Sequence, residues 1–154
     1  MLLVPKLADA GTIAREAVAR LVALPGNPEG SRKLTFTQDG TTCPFRIRRV
    51  YWLHDLEEGE VRGSHAHRTL LQSITAVSGA CDIELDNGEV RCVHRLQRAT
   101  QALLVPPMLW RTITVLQPHT ALVVLASAPF DEADYIRDYD AFLRNRRAPL
   151  PRPG

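Results

Sequence analysis

The sequence predicts an all-β protein, either a closed barrel or a double-sheet jelly roll, with one short helix near its C-terminal end. From residue 34 to residue 128 the chain is a series of short apolar or alternating runs separated by turn-forming residues. Several runs alternate polar and apolar residues, as half-buried antiparallel strands do. Many short strands of this kind are typical of barrels and jelly rolls. After Pro129 the apolar spacing becomes helical, which predicts the terminal helix.

The size and composition indicate one globular domain. A chain of 154 residues with 45% hydrophobic and 23% charged residues buries enough surface to form a single core. A net charge of +2 is too small for a protein that binds a phosphate backbone. No apolar run is long enough to cross a bilayer, and the first residues lack the pattern of a secretory signal. We therefore expect a cytoplasmic protein that binds neither nucleic acid nor membranes.

The cysteines do not indicate a disulfide framework or a zinc site. Cys43, Cys81 and Cys92 are odd in number and lack CxxC spacing. We expect free thiols, buried or half-buried.

Residues 1–33 are interpreted as an N-terminal extension that carries the first strand. The Ala-rich stretch after Thr12 predicts a short helix capped by Thr12 and running into an apolar strand, Arg20 to Leu24. Residues 25–33 collect Pro, Gly, Asn and Ser, which are typical of a loop.

The main domain is predicted to span residues 34–143. The runs predicted as strands cover residues 34–37, 45–53, 71–77, 81–85, 90–96, 102–105, 112–116 and 121–126. The sequence Asp-Asn-Gly at 86–88 predicts a tight hairpin, because Asn-Gly accepts the positive φ angles of the favoured turn.

The end of the chain is predicted to be helical and then irregular. In the stretch 131–147, Ile136, Tyr139, Phe142 and Leu143 recur at helical spacing behind an acidic first turn. Residues 144–154 end in APLPRPG and are interpreted as a flexible tail.

Two histidines stand one residue apart in RGSHAHRTLLQ, residues 62–72. Side chains two apart on a strand point to the same face, so His65 and His67 project together. If that face is the barrel interior, the pair lies in a pocket. The pattern allows a metal site, proton chemistry or simple packing.

The spacing around this pair resembles the cupins, a jelly-roll superfamily. His65, His67, Gln72 and Gly79 occupy the places of the first cupin motif, where a Glu usually stands at the position of Gln72. Arg111, five residues after a proline, occupies the place of the His of the second motif. A cupin metal site needs three imidazoles and a carboxylate, and a guanidinium offers no lone pair. We therefore predict no metal, and proton transfer by the imidazoles instead.

Three segments, residues 44–67, 106–110 (PPMLW) and 125–143, resemble the sugar 3,4-ketoisomerases of the WxcM-like family, which act on dTDP-4-oxo-6-deoxyglucose. The resemblance covers roughly residues 34–143, and the most specific parts are RGxHAH and DExDYIRxYDxF. It implies a small cupin jelly roll, a homodimer that commonly exchanges strands between subunits, and no metal or other cofactor. The implied reaction moves a carbonyl from C4 to C3 of the nucleotide-linked sugar, toward amino sugars of bacterial surface glycans or antibiotics.

The chemistry of this reaction assigns roles to the candidate residues. A proton must leave C3, an enediolate must be stabilised, and a proton must reach C4. We expect His67 to be the leading base and His65 its acid partner or orienting residue. Arg49 and Tyr51 share one face of their strand. If it is the pocket face, Arg49 would bind an oxyanion or the diphosphate while Tyr51 hydrogen-bonds the sugar or supplies a proton. The alternative is a pair on the barrel exterior at a dimer contact. Arg62 is expected to bind phosphate, or else to be a solvated surface charge.

The remaining candidates are Gln72, Trp110 and Arg111. Gln72 is expected to point at the histidines as a neutral partner. Trp110 is either a core residue or a platform for the nucleobase. Arg111 stands where relatives often have His, and as a permanent cation it can stabilise an enediolate or pair with phosphate but is no general base. Because Arg111 replaces this His, the sequence does not predict the configuration at C4 of the product.

Other functions remain compatible with these residues. A cupin epimerase acting on a nucleotide-linked 4-ketosugar would also use a histidine base, with Tyr51 as its acid. A non-catalytic cupin would bind a sugar in the same pocket without exchanging its hydrogens with solvent. A metal-dependent cupin dioxygenase or isomerase would carry close to one metal ion per chain.

Overall fold

The computed structural model describes residues 19–27 and 33–147. The helix predicted after Thr12 and the proline-rich residues 148–154 lie outside them. The described strands confirm the predicted all-β architecture. In chain order they are β1 Arg20–Ala23, β2 Gly26–Asn27, β3 Leu34–Thr35, β4 Arg49–Leu56, β5 Val61–His67, β6 Gln72–Ser78, β7 Cys81–Asp86, β8 Arg91–Leu96, β9 Gln101–Val105, β10 Trp110–Val115, β11 Thr120–Ala126 and β12 Tyr135–Ile136.

Two five-stranded antiparallel sheets face each other, as expected for a jelly roll. The first sheet has the order β1-β9-β6-β11-β4 and the second has the order β12-β5-β10-β7-β8, while β2 and β3 form a small separate pair. The core lies between the two sheets, where Ile74 and Val124 of the first meet Ile83 and Ile113 of the second in one buried cluster. Burying a side chain of this size contributes about 1.5–3 kcal/mol.

The strand predicted at 45–53 begins later, at Arg49, and continues to Leu56. Phe45 and Ile47 pack instead with Cys43 against the outer face of the first sheet. The run predicted at 34–37 pairs only over Leu34–Thr35. Phe45 is buried although it lies in a loop, so an apolar run does not require a sheet partner, whereas Leu34 and Phe36 stay exposed.

The hairpin predicted at Asp86–Gly88 joins β7 to β8. Its turn is longer than two residues, because Asn87 Oδ1 accepts hydrogen bonds from the N–H groups of Glu89 and Val90, both at 2.8 Å. Gly88 has a φ of 87°, a value that strongly favours glycine.

The C-terminal helix, α1, spans Tyr139–Arg147 and is shorter at its start than the predicted 131–147. Asp138 caps it, since its Oδ1 accepts a hydrogen bond from the N–H of Ala141 at 2.7 Å. The residues before it form a 3-10 turn, Glu132–Asp134, and then β12. At the other end the helix reaches Arg147, the end of the predicted helical stretch, and so overlaps residues 144–147, which the domain division assigns to the C-terminal tail.

The described part of the chain contains no helix that is long and apolar enough to span a membrane. Cys43 and Cys81 are buried, Cys92 is exposed, and all three are free thiols.

Candidate active site

A cavity of about 270 Å³ opens between the two sheets. Its apolar wall consists of the core side chains Leu53, Ile74, Ile113 and Val124. Its polar wall consists of Tyr51, Arg62, His65, Gln72, Arg111, Tyr135 and Arg137. Most of the residues predicted for the site therefore line one cavity.

A bulge in β5 determines which side chains of that strand reach the cavity. Gly63 and Ser64 both have left-handed backbone conformations, with φ of 86° and 57°. The register with β10 shifts at this point, so that Arg62 and His65 both lie opposite inward-facing residues of β10. Because side chains alternate along a strand, Arg62 would otherwise face away from His65. The extra residue brings both into the cavity.

The two histidines are in direct contact, and they are not equivalent. His65 Nε2 lies 3.2 Å from His67 Nε2. His65 lines the cavity, whereas His67 is fully buried behind it. The prediction that His67 is the leading base stays a prediction, but His65 is the imidazole that faces this cavity.

Asp134 completes this arrangement and was not among the residues predicted from the sequence. Its Oδ2 lies 3.0 Å from His67 Nδ1, and its Oδ1 accepts hydrogen bonds from Thr69 N–H at 2.8 Å and Thr69 Oγ at 2.7 Å. The carboxylate and His67 are 67 residues apart in the chain. The one signal in the sequence was DExDYIR, which we interpreted as the first turns of a helix.

Both histidines are held in their neutral form near pH 7. Burial lowers the pKa of His65 to about 4, and the positive charge of Arg111 adds to the effect. Burial, Arg111 and His65 lower the pKa of His67, and Asp134 acts in the opposite direction. A neutral imidazole is the form that accepts a proton, so the pair is ready to act as a base.

These shifts predict how stability depends on pH. The unfolded chain protonates its histidines near pH 6.5, whereas the folded chain protonates His65 only near pH 4. The free energy of unfolding should therefore have its full value above pH 6.5. It should fall by roughly 2 kcal/mol for His65, after solvent screening, as the pH falls from 6.5 to 4. Urea titrations across this range measure it. His65→Asn should flatten the dependence, whereas an equal slope in this variant would contradict the assignment. His54→Asn, at an exposed position away from the cavity, is the control for replacing a histidine.

Arg111 is the most unusual residue of the cavity. It is 2% exposed, and none of its three guanidinium nitrogens has a hydrogen-bond partner within residues 19–27 and 33–147. Burial lowers the pKa of Arg111 to about 10, which leaves it charged at neutral pH. A buried cation with unsatisfied N–H groups is costly unless another group provides acceptors. The cavity is therefore suited to a ligand that brings a negative charge or oxygen atoms to this position.

Tyr51 and Gln72 form a pair on the first-sheet side of the cavity. Gln72 Nε2 donates a hydrogen bond to Tyr51 Oη at 2.7 Å, instead of contacting the histidines as predicted. Burial raises the pKa of Tyr51, so its hydroxyl stays protonated and can donate into the cavity. Arg49 lies on the same face of β4 as Tyr51, as expected, and its guanidinium lies 5.0 Å from the centre of the Tyr51 ring.

Two arginines lie at the mouth of the cavity. Arg62 pairs with Glu60 at 2.6 Å, and Arg137, which we did not predict, pairs with Glu132 at 2.6 Å. Both arginine side chains are more than half exposed, at 52% and 55%. Exposed ion pairs of this kind contribute little to stability, so both guanidinium groups can exchange their partner for a ligand phosphate at small cost.

Trp110 lies apart from this cavity. Its ring packs at 5.2 Å from Tyr139 and 5.8 Å from Phe142, both on α1. This placement favours the core role over the nucleobase platform. Trp110 holds the C-terminal helix against the second sheet.

Across residues 19–27 and 33–147, no three His, Cys, Asp or Glu side chains converge in a way that would hold a metal ion. The two imidazoles share their surroundings with the fixed charge of Arg111, which disfavours a second cation. A metal-free reaction remains a prediction.

Comparison with known proteins relates this site to a family. A family model described as "FdtA: WxcM-like, C-terminal" matches residues 17–147. A TDP-4-oxo-6-deoxy-α-D-glucose-3,4-oxoisomerase of Aneurinibacillus thermoaerophilus is 36% identical over 109 residues, which cover 71% of this chain and 78% of the relative.

Solved structures agree with this match. A 3,4-ketoisomerase from Helicobacter canadensis superposes with a TM-score of 0.81 at 30% identity, over 84% of this chain and 98% of the other. QdtA, a sugar 3,4-ketoisomerase from Thermoanaerobacterium thermosaccharolyticum solved in complex with TDP, superposes with a TM-score of 0.80 at 28% identity, over 84% and 94% of the two chains. The family match spans most of the chain, including every residue of the cavity. The chain therefore belongs to the WxcM-like (FdtA) family.

Proposed function

We propose that this protein is a metal-independent 3,4-ketoisomerase that converts TDP-4-oxo-6-deoxyglucose into its 3-oxo isomer. The observation that carries the proposal is that a neutral imidazole, His65, and an unpartnered cation, Arg111, face the same cavity. A base next to a cation is what proton abstraction beside a carbonyl requires. The name of the curated relative supports the substrate.

The reaction starts with removal of the hydrogen at C3. His65 takes this proton, and the electrons of the C3–H bond form a C3–C4 double bond while those of the carbonyl move onto the C4 oxygen. The negative charge of the resulting enediolate lies where the N–H groups of Arg111 are free to donate. In the low dielectric of a buried site this interaction is strong.

The second half of the reaction reverses these roles. The C3 hydroxyl loses its proton and becomes the new carbonyl, while C4 receives a proton and its oxygen becomes a hydroxyl. The numbers of atoms and electrons are unchanged, so no cofactor is needed. Tyr51, held by Gln72, is placed to donate a hydrogen bond to the sugar during this exchange.

The cationic groups at the mouth fit the nucleotide part of the substrate. Arg62 and Arg137 are exposed at the edge of the cavity and are suited to the two phosphates. The buried Arg111 would then contact the sugar. With the phosphates at the mouth and the sugar at Arg111, the reacting carbons C3 and C4 would lie next to His65.

Proton NMR tests the proposed reaction. Purified protein is incubated with TDP-4-oxo-6-deoxyglucose in D2O with EDTA. We expect the 3-oxo isomer to appear and the C3 proton signal of the substrate to disappear, at a rate that EDTA does not change. An epimer that keeps its 4-oxo group would favour the epimerase instead. Binding without any exchange would favour a sugar-binding protein, and abolition by EDTA would contradict the metal-free mechanism.

We further propose that the protein is a homodimer that buries the outer face of the first sheet. This face exposes Phe36, Val50, Trp52 and Val77, with exposed fractions from 47% to 62%. A shallow cavity of about 320 Å³ lies on it, and Phe36 and Val77 form part of its lining. An apolar patch of this kind is typical of a protein contact. Edge strand β1 pairs with β9, and the same pairing would form between subunits if strands are exchanged.

Light scattering checks the dimer. We expect twice the 17.2 kDa of one chain for the native protein. Trp52→Glu should lower the mass to that of one chain, because it introduces a charge into the proposed contact. Val93→Glu changes an equally exposed side chain on the second sheet and should leave the dimer intact. A native protein that runs as a monomer would contradict the proposal.

A further inference from the structure

The hydrogen bonds around His67 determine which of its nitrogens carries the proton. Asp134 Oδ1 is occupied by the two donors of Thr69, and Oδ2 faces His67 Nδ1. Burial acts to raise the pKa of Asp134, but the hydrogen bonds from Thr69 and the contact with His67 lower it, so the carboxylate is ionised and only accepts. His67 Nδ1 must therefore donate, and the lone pair of neutral His67 lies on Nε2.

That lone pair points at the other imidazole. His67 Nε2 lies 3.2 Å from His65 Nε2. At this distance a proton on His65 Nε2 is hydrogen-bonded to the lone pair of His67 Nε2. The space between the two rings is therefore an acceptor site for one proton.

This geometry holds one proton between the two rings and excludes a second. A proton placed on either Nε2 is at once hydrogen-bonded to the other, whereas two protons would oppose each other at 3.2 Å. Resting on the proposed function, we propose that Asp134 is a positioning residue: it keeps the His67 Nε2 lone pair facing His65, so that the two imidazoles hold the substrate's proton as one unit between its removal from C3 and its delivery to C4.

Asp134→Asn tests this directly, because Thr69 fixes the orientation of the new amide. The amide oxygen takes the place of Oδ1, where it accepts from Thr69, and the NH2 group takes the place of Oδ2. It then donates to His67 Nδ1, which moves the His67 proton to Nε2. A His67 N–H group now points at His65 Nε2 and fills the space in which the pair would hold the substrate's proton. We expect kcat to fall about 100-fold or more, with KM within about threefold, since Asp134 does not line the cavity.

A matched control lies on the same turn. Asp131→Asn removes the same charge, and Asp131 bonds to the N–H of Ala133 at 3.0 Å and to neither histidine. It should keep the wild-type kcat. Thermal unfolding of both variants measures any loss of stability, which would lower kcat through the amount of folded enzyme and not through the proton position.

The tautomer itself is read by ¹⁵N NMR of the histidine side chains in the wild-type protein without substrate. At pH 7 we expect His67 to be protonated on Nδ1, and in Asp134→Asn on Nε2. A wild-type His67 protonated on Nε2, or an Asp134→Asn variant with unchanged kcat, would overturn the inference. Because the NMR measurement needs no turnover, the inference is tested even if the protein does not isomerise the sugar, and failure of the proposed function is distinguishable from failure of the relay.

Discussion

Replacing His65 by asparagine is expected to lower kcat by about 10²- to 10⁴-fold, the usual contribution of a general base. His65 lines the cavity and His67 is buried behind it, so we expect His65 to be the histidine that reaches the C3 hydrogen of the proposed substrate. Asparagine keeps a similar polar shape but accepts no proton at neutral pH. The measurement is the initial rate of 3-oxo sugar formation by NMR, combined with calorimetric binding of TDP.

Binding of TDP should survive this change, because the phosphates are expected to contact the arginines at the mouth. His54→Asn is the matched control, since His54 is exposed and bonds to its neighbour Asp55. An unaltered rate in His65→Asn would show that another group removes the proton. A larger loss in His67→Asn than in His65→Asn would restore the assignment of His67 as the leading base.

Replacing Arg111 by methionine should change activity and stability in opposite directions. Loss of Arg111, the buried cation that we propose to stabilise the enediolate, should lower kcat by about 10²- to 10³-fold. The free energy of unfolding should rise by about 1–3 kcal/mol, because none of the described residues provides a hydrogen-bond partner for the three nitrogens of the buried guanidinium. Methionine fills a similar volume and leaves no polar group unsatisfied.

The two effects are measured separately, by NMR rates and by urea unfolding without substrate. Arg98→Met is the control for removal of a positive charge, since that side chain is exposed before β9. Arg111→Lys keeps the charge with fewer donors and should fall between wild type and methionine in rate. If Arg111→Met were destabilised, the guanidinium would have a structural partner, and the oxyanion role would lose its main support.

The local features of the fold could be predicted from the sequence. Strand alternation has a period of two residues and turn residues act over three or four, so the runs at 71–77 and 121–126 and the hairpin after β7 need no knowledge of distant contacts. For the same reason the shared face of His65 and His67, and that of Arg49 and Tyr51, follow from counting along a strand.

The C-terminal segment shows where such counting ends. Ile136 and Tyr139 have helical spacing, yet the first belongs to β12 and the second to α1. Asp138 starts the helix by capping it, and the residues before it pair with β5. The spacing of the apolar residues allows either a helix or a strand here. The hydrogen bonds that β5 offers favour the strand.

The sequence by itself therefore determined the β architecture, the pair of histidines on one face and the set of cationic groups around them. Only the tertiary structure decided that His65 meets the cavity while His67 lies behind it, and that Asp134 bonds to a histidine 67 residues away. It also decided that Arg111 is buried without a hydrogen-bond partner in the described part of the chain. The physical reason is that side-chain direction follows from the backbone of a single strand, whereas burial, partners and pKa depend on what the rest of the chain places against it.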